Sequence, residues 1–79
     1  MARENSIKHE IIEHLGCLGA RSGAAGWTRE VNMISWNGGT PKVDIRSWTE
    51  DHEKMSKGIT LTQDEALLLA ELLIAKCNY

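Results

Sequence analysis

The segment Gln63–Cys77 constrains this chain more than any other. Between Ala66 and Ala75 its only charged residue is Glu71. Leu67, Leu68, Leu69, Leu72, Leu73 and Ile74 cover most of the circumference of a helix drawn through it. A helix that is apolar all round has to be covered all round. Its start is well marked. Thr62-Gln63-Asp64-Glu65 matches a capping box, in which Thr62 accepts from the amide of Glu65 and Glu65 reaches back to the amide of Thr62. Asp64 and Glu65 also suit the positive end of the helix dipole. The rest of a 79-residue chain offers one small sheet, which covers part of this surface. The remainder is expected to meet a second copy, with Leu68, Leu69, Leu72 and Leu73 at the interface of a homodimer. Left open, the stripe would be an aggregation hazard.

Upstream the period changes to that of strands. In Trp27–Trp36, Arg29, Val31, Met33 and Ser35 share one face and Thr28, Glu30, Asn32, Ile34 and Trp36 the other. Asn37-Gly38-Gly39-Thr40-Pro41 reads as a turn, rich in residues that tolerate positive φ. In residues 42–48, Val43, Ile45 and Ser47 alternate with Lys42, Asp44, Arg46 and Trp48. The packed face is expected to be Val31, Met33, Val43 and Ile45. Residues 49–57 are polar and read as a loop. Residues 58–62 read as a short strand with Ile59 and Leu61 inward. Residues 7–18 are ambiguous: Ile7, Ile11, Ile12 and Leu15 recur at helical spacing, whereas Gly16, Gly19 and the β-branched content suit a strand. Residues 19–26, small and glycine-rich, read as a flexible loop.

The hairpin carries the chemistry. All three tryptophans fall between Trp27 and Trp48, and the chain has no Phe. Trp36 and Trp48 share the outer face with Lys42 and Arg46. Flat rings beside cations suit unpaired nucleic-acid bases and their phosphates. Arg21 and Arg29 are added candidates from the loop and strand edge, and Lys54 and Lys57 would close the other side. Trp27, beside the glycine-rich loop, is read as a packing residue. Asp44, on the outer face, is expected to pair with Arg46 or Lys42. The net charge of −2 excludes binding of a polyanion by bulk charge, so cations must be sorted onto one face. Duplex DNA fits poorly, because its bases are already stacked and no element is shaped for the major groove.

Enzymatic chemistry finds little support. His9, His14 and His52 with Cys17 and Cys77 lack zinc-finger spacing, and no glycine-rich phosphate loop opens a helix. Ser35 and Cys17 have no evident base and orienter. No metal, cofactor or catalytic residue is expected. His9 and His14 are read as surface residues. The cysteines are expected to be reduced and partly buried. No apolar run is long enough to span a bilayer and the start is not a signal peptide, so one cytoplasmic domain is expected.

Three segments together carry a resemblance: Val31-Asn32-Met33-Ile34-Ser35-Trp36-Asn37-Gly38, Lys42-Val43-Asp44-Ile45-Arg46 and Lys57-Gly58-Ile59-Thr60-Leu61-Thr62. Over residues 10–75 the chain resembles the C-terminal domain of the transcriptional coactivator positive cofactor four. It looks closest to the YdbC-like bacterial branch, in which Gly26-Trp27-Thr28, Asp44-Ile45-Arg46-Ser47-Trp48 and Asp51-His52-Glu53-Lys54-Met55 are typical. The resemblance implies a curved four-stranded antiparallel sheet followed by a C-terminal helix, with residues 11–18 as the first strand and two copies paired through their helices. It implies a non-enzymatic protein that binds single-stranded DNA along the sheet, with little sequence preference, in transcription or the handling of unwound DNA. Trp36 falls on a base-stacking aromatic, Arg46 on a backbone-contacting arginine and Lys57 on a DNA-contacting lysine. Ile34 and Asn37 stand where the coactivator branch has cations, which implies more stacking and fewer phosphate contacts here. A dimeric protein-interaction module and an RNA-binding protein are the alternatives on this scaffold, since stacking does not distinguish sugars.

Overall fold

The computed structural model describes residues 8–20 and 25–77. An antiparallel meander of β1 (His9–Ala20), β2 (Trp27–Trp36), β3 (Lys42–Thr49) and β4 (Ile59–Leu61) precedes the helix α1 (Gln63–Cys77). This is the expected sheet-then-helix architecture.

The ambiguous first segment is a strand from His9 onward. Its helical spacing has another cause. The pairing of β1 with β2 shifts register between Ile11 and Glu13, between His14 and Gly16, and between Cys17 and Gly19. The residues left over are Ile12, Leu15 and Leu18, all exposed. Three bulges at three-residue intervals therefore imitate the spacing of a helix. Each bulge also bends the strand and increases its twist.

β2 and β3 pair without interruption from Trp27↔Thr49 to Ile34↔Lys42. The turn between them has Asn37 at φ 53 and Gly38 at φ 75, closed by the Gly39 amide donating to the Trp36 carbonyl at 2.9 Å. An Asn-Gly pair adopts such positive φ values at low cost. The turn also anchors the start of β1: the Asn37 amide donates to the Lys8 carbonyl at 2.7 Å, and the Lys8 amide to Asn37 Oδ1 at 2.9 Å.

The curl of the sheet reverses the expected inside and outside. Arg46 pairs with Glu30, six residues from Trp36, which is about 20 Å along a straight strand. Yet the Arg46 guanidinium lies 4.8 Å from the Trp36 ring centroid. The face bearing Trp36 is therefore concave, and its side chains converge. Ile34 (0% exposed) and Trp48 (1%), expected on the outer face, are the fully buried apolar residues. Val31, Met33, Val43 and Ile45, expected to be the core, are only half-buried on the opposite face, and Ile59, expected inward and paired with Ile45, is 52% exposed there. That face has too little cover: α1 touches β3 and β4 alone, and none of its residues is buried.

Residues 49–58 are more ordered than a polar loop suggests. They fold back along β3. The Thr49 amide donates to the Lys54 carbonyl (3.0 Å), the Ser56 amide donates to the Ser47 carbonyl (2.9 Å), and Trp48 forms a β-bridge with Met55. Asp51 holds the tip by accepting from the Glu53 amide (2.9 Å) and the Thr49 hydroxyl (2.8 Å), which keep its carboxyl below the usual range. His52 sits there at φ 60. At Gly58 a Cβ would collide with Arg46 Cβ and the Ile45 carbonyl, so β4 comes this close to β3 only through glycine.

The capping box forms as the sequence predicts, with Glu65 N–H to Thr62 Oγ1 at 3.1 Å and Thr62 N–H to Glu65 Oε1 at 2.9 Å. Leu68, Leu72 and Leu73 are 56%, 61% and 53% exposed, and Leu69 is half-buried. Cys17 and Cys77 are free thiols but exposed, not partly buried. Among the described residues no helix is long and apolar enough to cross a membrane.

Candidate nucleic-acid interface

The concave face opens at the turn end into a groove of about 570 Å³, lined by Trp36, Thr40, Lys42, Arg46, Met55 and Thr60. Its centre is an ordered stack. Arg46 donates from Nε and Nη2 to the two carboxylate oxygens of Asp44, at 2.5 and 2.7 Å. Thr60 donates to the same carboxylate at 2.8 Å, and Arg46 Nη1 meets Met55 Sδ at 3.5 Å. Asp44 is 0% exposed and the Arg46 side chain 13%. This fork-to-fork geometry fixes the guanidinium over the Trp36 ring, 4.8 Å from its centroid. It also neutralises the charge, as the expected pairing of Asp44 required. The cation left free in the groove is Lys42, exposed and without an ion pair among the described residues.

A second, smaller groove of about 260 Å³ lies between β1 and the folded-back segment, lined by Ile11, His14, Glu30, Asn32 and His52. Glu30, 7% exposed, meets His52 Nε2 at 3.0 Å from both carboxylate oxygens. Asn32 donates to Glu30 at 3.2 Å and meets His14 Nδ1 through its amide oxygen at 2.7 Å. Burial pushes the Glu30 carboxyl up. The hydrogen bonds from His52 and Asn32, and the charges of His52 and His14, outweigh it and leave the carboxyl below its ordinary value.

A run of rings joins the two grooves. His9 lies 5.7 Å from Trp36 and 5.2 Å from Trp48, and Trp48 lies 5.4 Å from His52. The indole N–H groups of Trp36 and Trp48 are covered and have no acceptor among the described residues. Both rings hold their places by packing rather than by polar bonds.

Of the residues singled out in the sequence, Trp36, Lys42 and Arg46 come together. Trp48 requires correction: at 1% exposed, between His9 and His52, it has no face free to meet a base. Its large ring fills the inside of the curled sheet. Lys54 and Lys57 are exposed on the folded-back segment, without ion pairs among the described residues, and Lys57 precedes the glycine that lies on Arg46. Arg29 pairs with Ser47 on the convex face, away from Trp36. Arg21 lies outside the described residues. Trp27 is half-buried at the far end of β2. The sequence reading missed His9, Glu30, Asn32, His52, Met55 and Thr60. Their placement depends on the bulges of β1 and the return of residues 49–58, which no local pattern announces. Among the described residues no group of three or more His, Cys, Asp or Glu is arranged to hold a metal.

The family model described as Transcriptional Coactivator p15 (PC4) matches residues 24–72, from the end of the glycine-rich loop into α1. A relative from Treponema pallidum (strain Nichols), named only as an uncharacterized protein, is 43% identical over 69 residues, covering 87% of this chain and 79% of its own.

Proposed function

The chain belongs to the transcriptional coactivator p15 (PC4) family, and from that premise we propose that it is a non-enzymatic single-stranded DNA-binding protein of low sequence specificity, acting in transcription as a homodimer. The observation that carries this reading is the Trp36–Arg46 stack lining an open groove beside the unpaired Lys42. An unpaired strand offers π-faces and phosphates. The indole supplies a stacking surface at about 1–3 kcal/mol per base, whatever the base. Lys42, with Lys57 and Lys54 on the neighbouring segment, supplies phosphate contacts that release counterions. Arg46 contributes chiefly by holding the indole and by presenting its remaining edge, because Asp44 already takes most of its charge. Trp48 supports the site from beneath. The dimer would bury Leu68, Leu69, Leu72 and Leu73 and present the groove twice, raising affinity for a long strand through effective concentration.

The neutralised Arg46 favours one second reading, a protein-interaction module on the same scaffold. Tryptophan fluorescence titration with oligo-dT, oligo-U and a duplex at two salt concentrations separates the possibilities. Single-stranded DNA should bind most tightly and weaken as salt rises. Trp36→Ala and Lys42→Ala should each reduce affinity, with Lys42→Ala also flattening the salt slope. Unchanged affinity in both variants would sink the site. No signal with any nucleic acid at low salt would favour the polypeptide ligand, and preference for oligo-U would favour RNA.

A further inference from the structure

Resting on the single-strand reading above, we propose that the histidine-lined groove beside the Trp36 site is a second phosphate subsite, loaded by protonation of His9 and His14, so that affinity for the strand rises as pH falls.

Register is the first support. In an unbroken strand His9 and His14, five residues apart, would point to opposite faces. One register shift, between Ile11 and Glu13, puts both on the concave side: His9 opposite Trp36, Ile11 opposite Ile34 and His14 opposite Asn32. The same shift sends the acids of β1 the other way, with Glu10 opposite Ser35 and Glu13 opposite Met33. The concave side of β1 is thereby cleared of carboxylates.

Continuity is the second. The His9 ring touches Trp36, the proposed stacking residue, at 5.7 Å. His14 lines the adjoining groove with Ile11, Asn32, Glu30 and His52. A strand leaving the Trp36 groove along β1 would pass both imidazoles.

Charge is the third. The acids facing this region are Glu30 from β2, Asp44 from β3 and Asp51 beside His52. Asp44 is taken by Arg46, and Glu30 by His52 and Asn32. Asp51 is tied to the Glu53 amide and the Thr49 hydroxyl at the tip of its own segment. A proton on His52 is spent on Glu30. His14 turns its Nδ1 to Asn32 Oδ1 and holds it 3.7 Å from Glu30, so the proton it gains goes to Nε2, which has no partner among the described residues; that edge and the His9 ring are what a phosphate would meet. With a formal charge of −2 and neutral histidines, two such protons cancel the net charge of the chain just where the strand would run.

The test is a titration of the full chain with oligo-dT at pH 7.5 and 5.5, each over a range of salt. Neither thymine nor the phosphodiester titrates in this interval, so a difference belongs to the protein. Binding should be about tenfold tighter at pH 5.5. The slope of log affinity against log salt should steepen by one to two phosphates, about 0.7 each for a single strand. The variant His9→Gln/His14→Gln should lose most of the gain between pH 7.5 and 5.5, and its salt slope should be the same at both. Equal affinity and slope at the two pH values would overturn the subsite, as would an undiminished gain in the double variant. Should that variant fail to fold, the slope of the unaltered protein decides alone. Binding at neither pH is a different failure, which removes the single-strand reading itself and this subsite with it.

Discussion

Arg46 is held too firmly to behave as an ordinary surface cation. Its guanidinium closes a bidentate pair with a carboxylate that has no exposure, and it covers the Trp36 ring. Removing it would strand the Asp44 charge with Thr60 as its remaining donor. Arg46→Ala should therefore lower unfolding free energy by about 3–5 kcal/mol, measured by urea denaturation. A loss of DNA binding in that variant would report the fold as much as the contact, so Trp36→Ala and Lys42→Ala are the cleaner probes. Glu30 carries a second prediction. Its carboxyl sits below the ordinary value in the fold, so its stabilising contribution is complete above the unfolded pKa. That contribution is lost as pH falls through the lower folded value. The stability difference between the unaltered chain and Glu30→Gln should thus be widest near pH 6 and shrink on acidification below about 4.5. A difference that grows towards acid would contradict the arrangement around His52.

Among the elements, α1 and the β2–β3 hairpin were legible and β1 was not. The capping box, the apolar run and the Asn-Gly turn are local devices, written in neighbouring residues. Thr62→Ala removes one half of that box and should cost about 1 kcal/mol in thermal or chemical unfolding, leaving the strands intact. β1 defeats a local reading because bulges at Ile12, Leu15 and Leu18 reproduce a helical spacing in an extended chain. Only the partner strand reveals which residues are extra. The short β4 was placed correctly, but the reason for Gly58 was hidden: the Cβ that would collide lies against Arg46, twelve positions away in sequence.

For the whole molecule the decisive observation is what remains uncovered. Val31, Met33, Val43 and Ile45 are half-buried on the convex face, while Leu68, Leu72 and Leu73 are more than half exposed on α1. The proposed dimer accounts for the helix stripe. Leu72→Glu and Leu73→Glu together should yield monomer by sedimentation equilibrium, with weaker binding to long oligo-dT than the unaltered protein. An unaltered chain that sediments as a monomer at micromolar concentration would refute the pairing. Local pattern is enough for the element types in Trp27–Trp36 and Gln63–Cys77, for the turn between β2 and β3, and for the alternation that groups Trp36, Lys42 and Arg46. Each follows from propensity and period within a few residues. Which face of the sheet is inside depends on how the strands curl together. Three bulges and a folded-back segment curl the sheet around Ile34 and Trp48, turning a side that looks solvent-facing into the buried one. Curvature is a property of paired strands, and no single strand carries it.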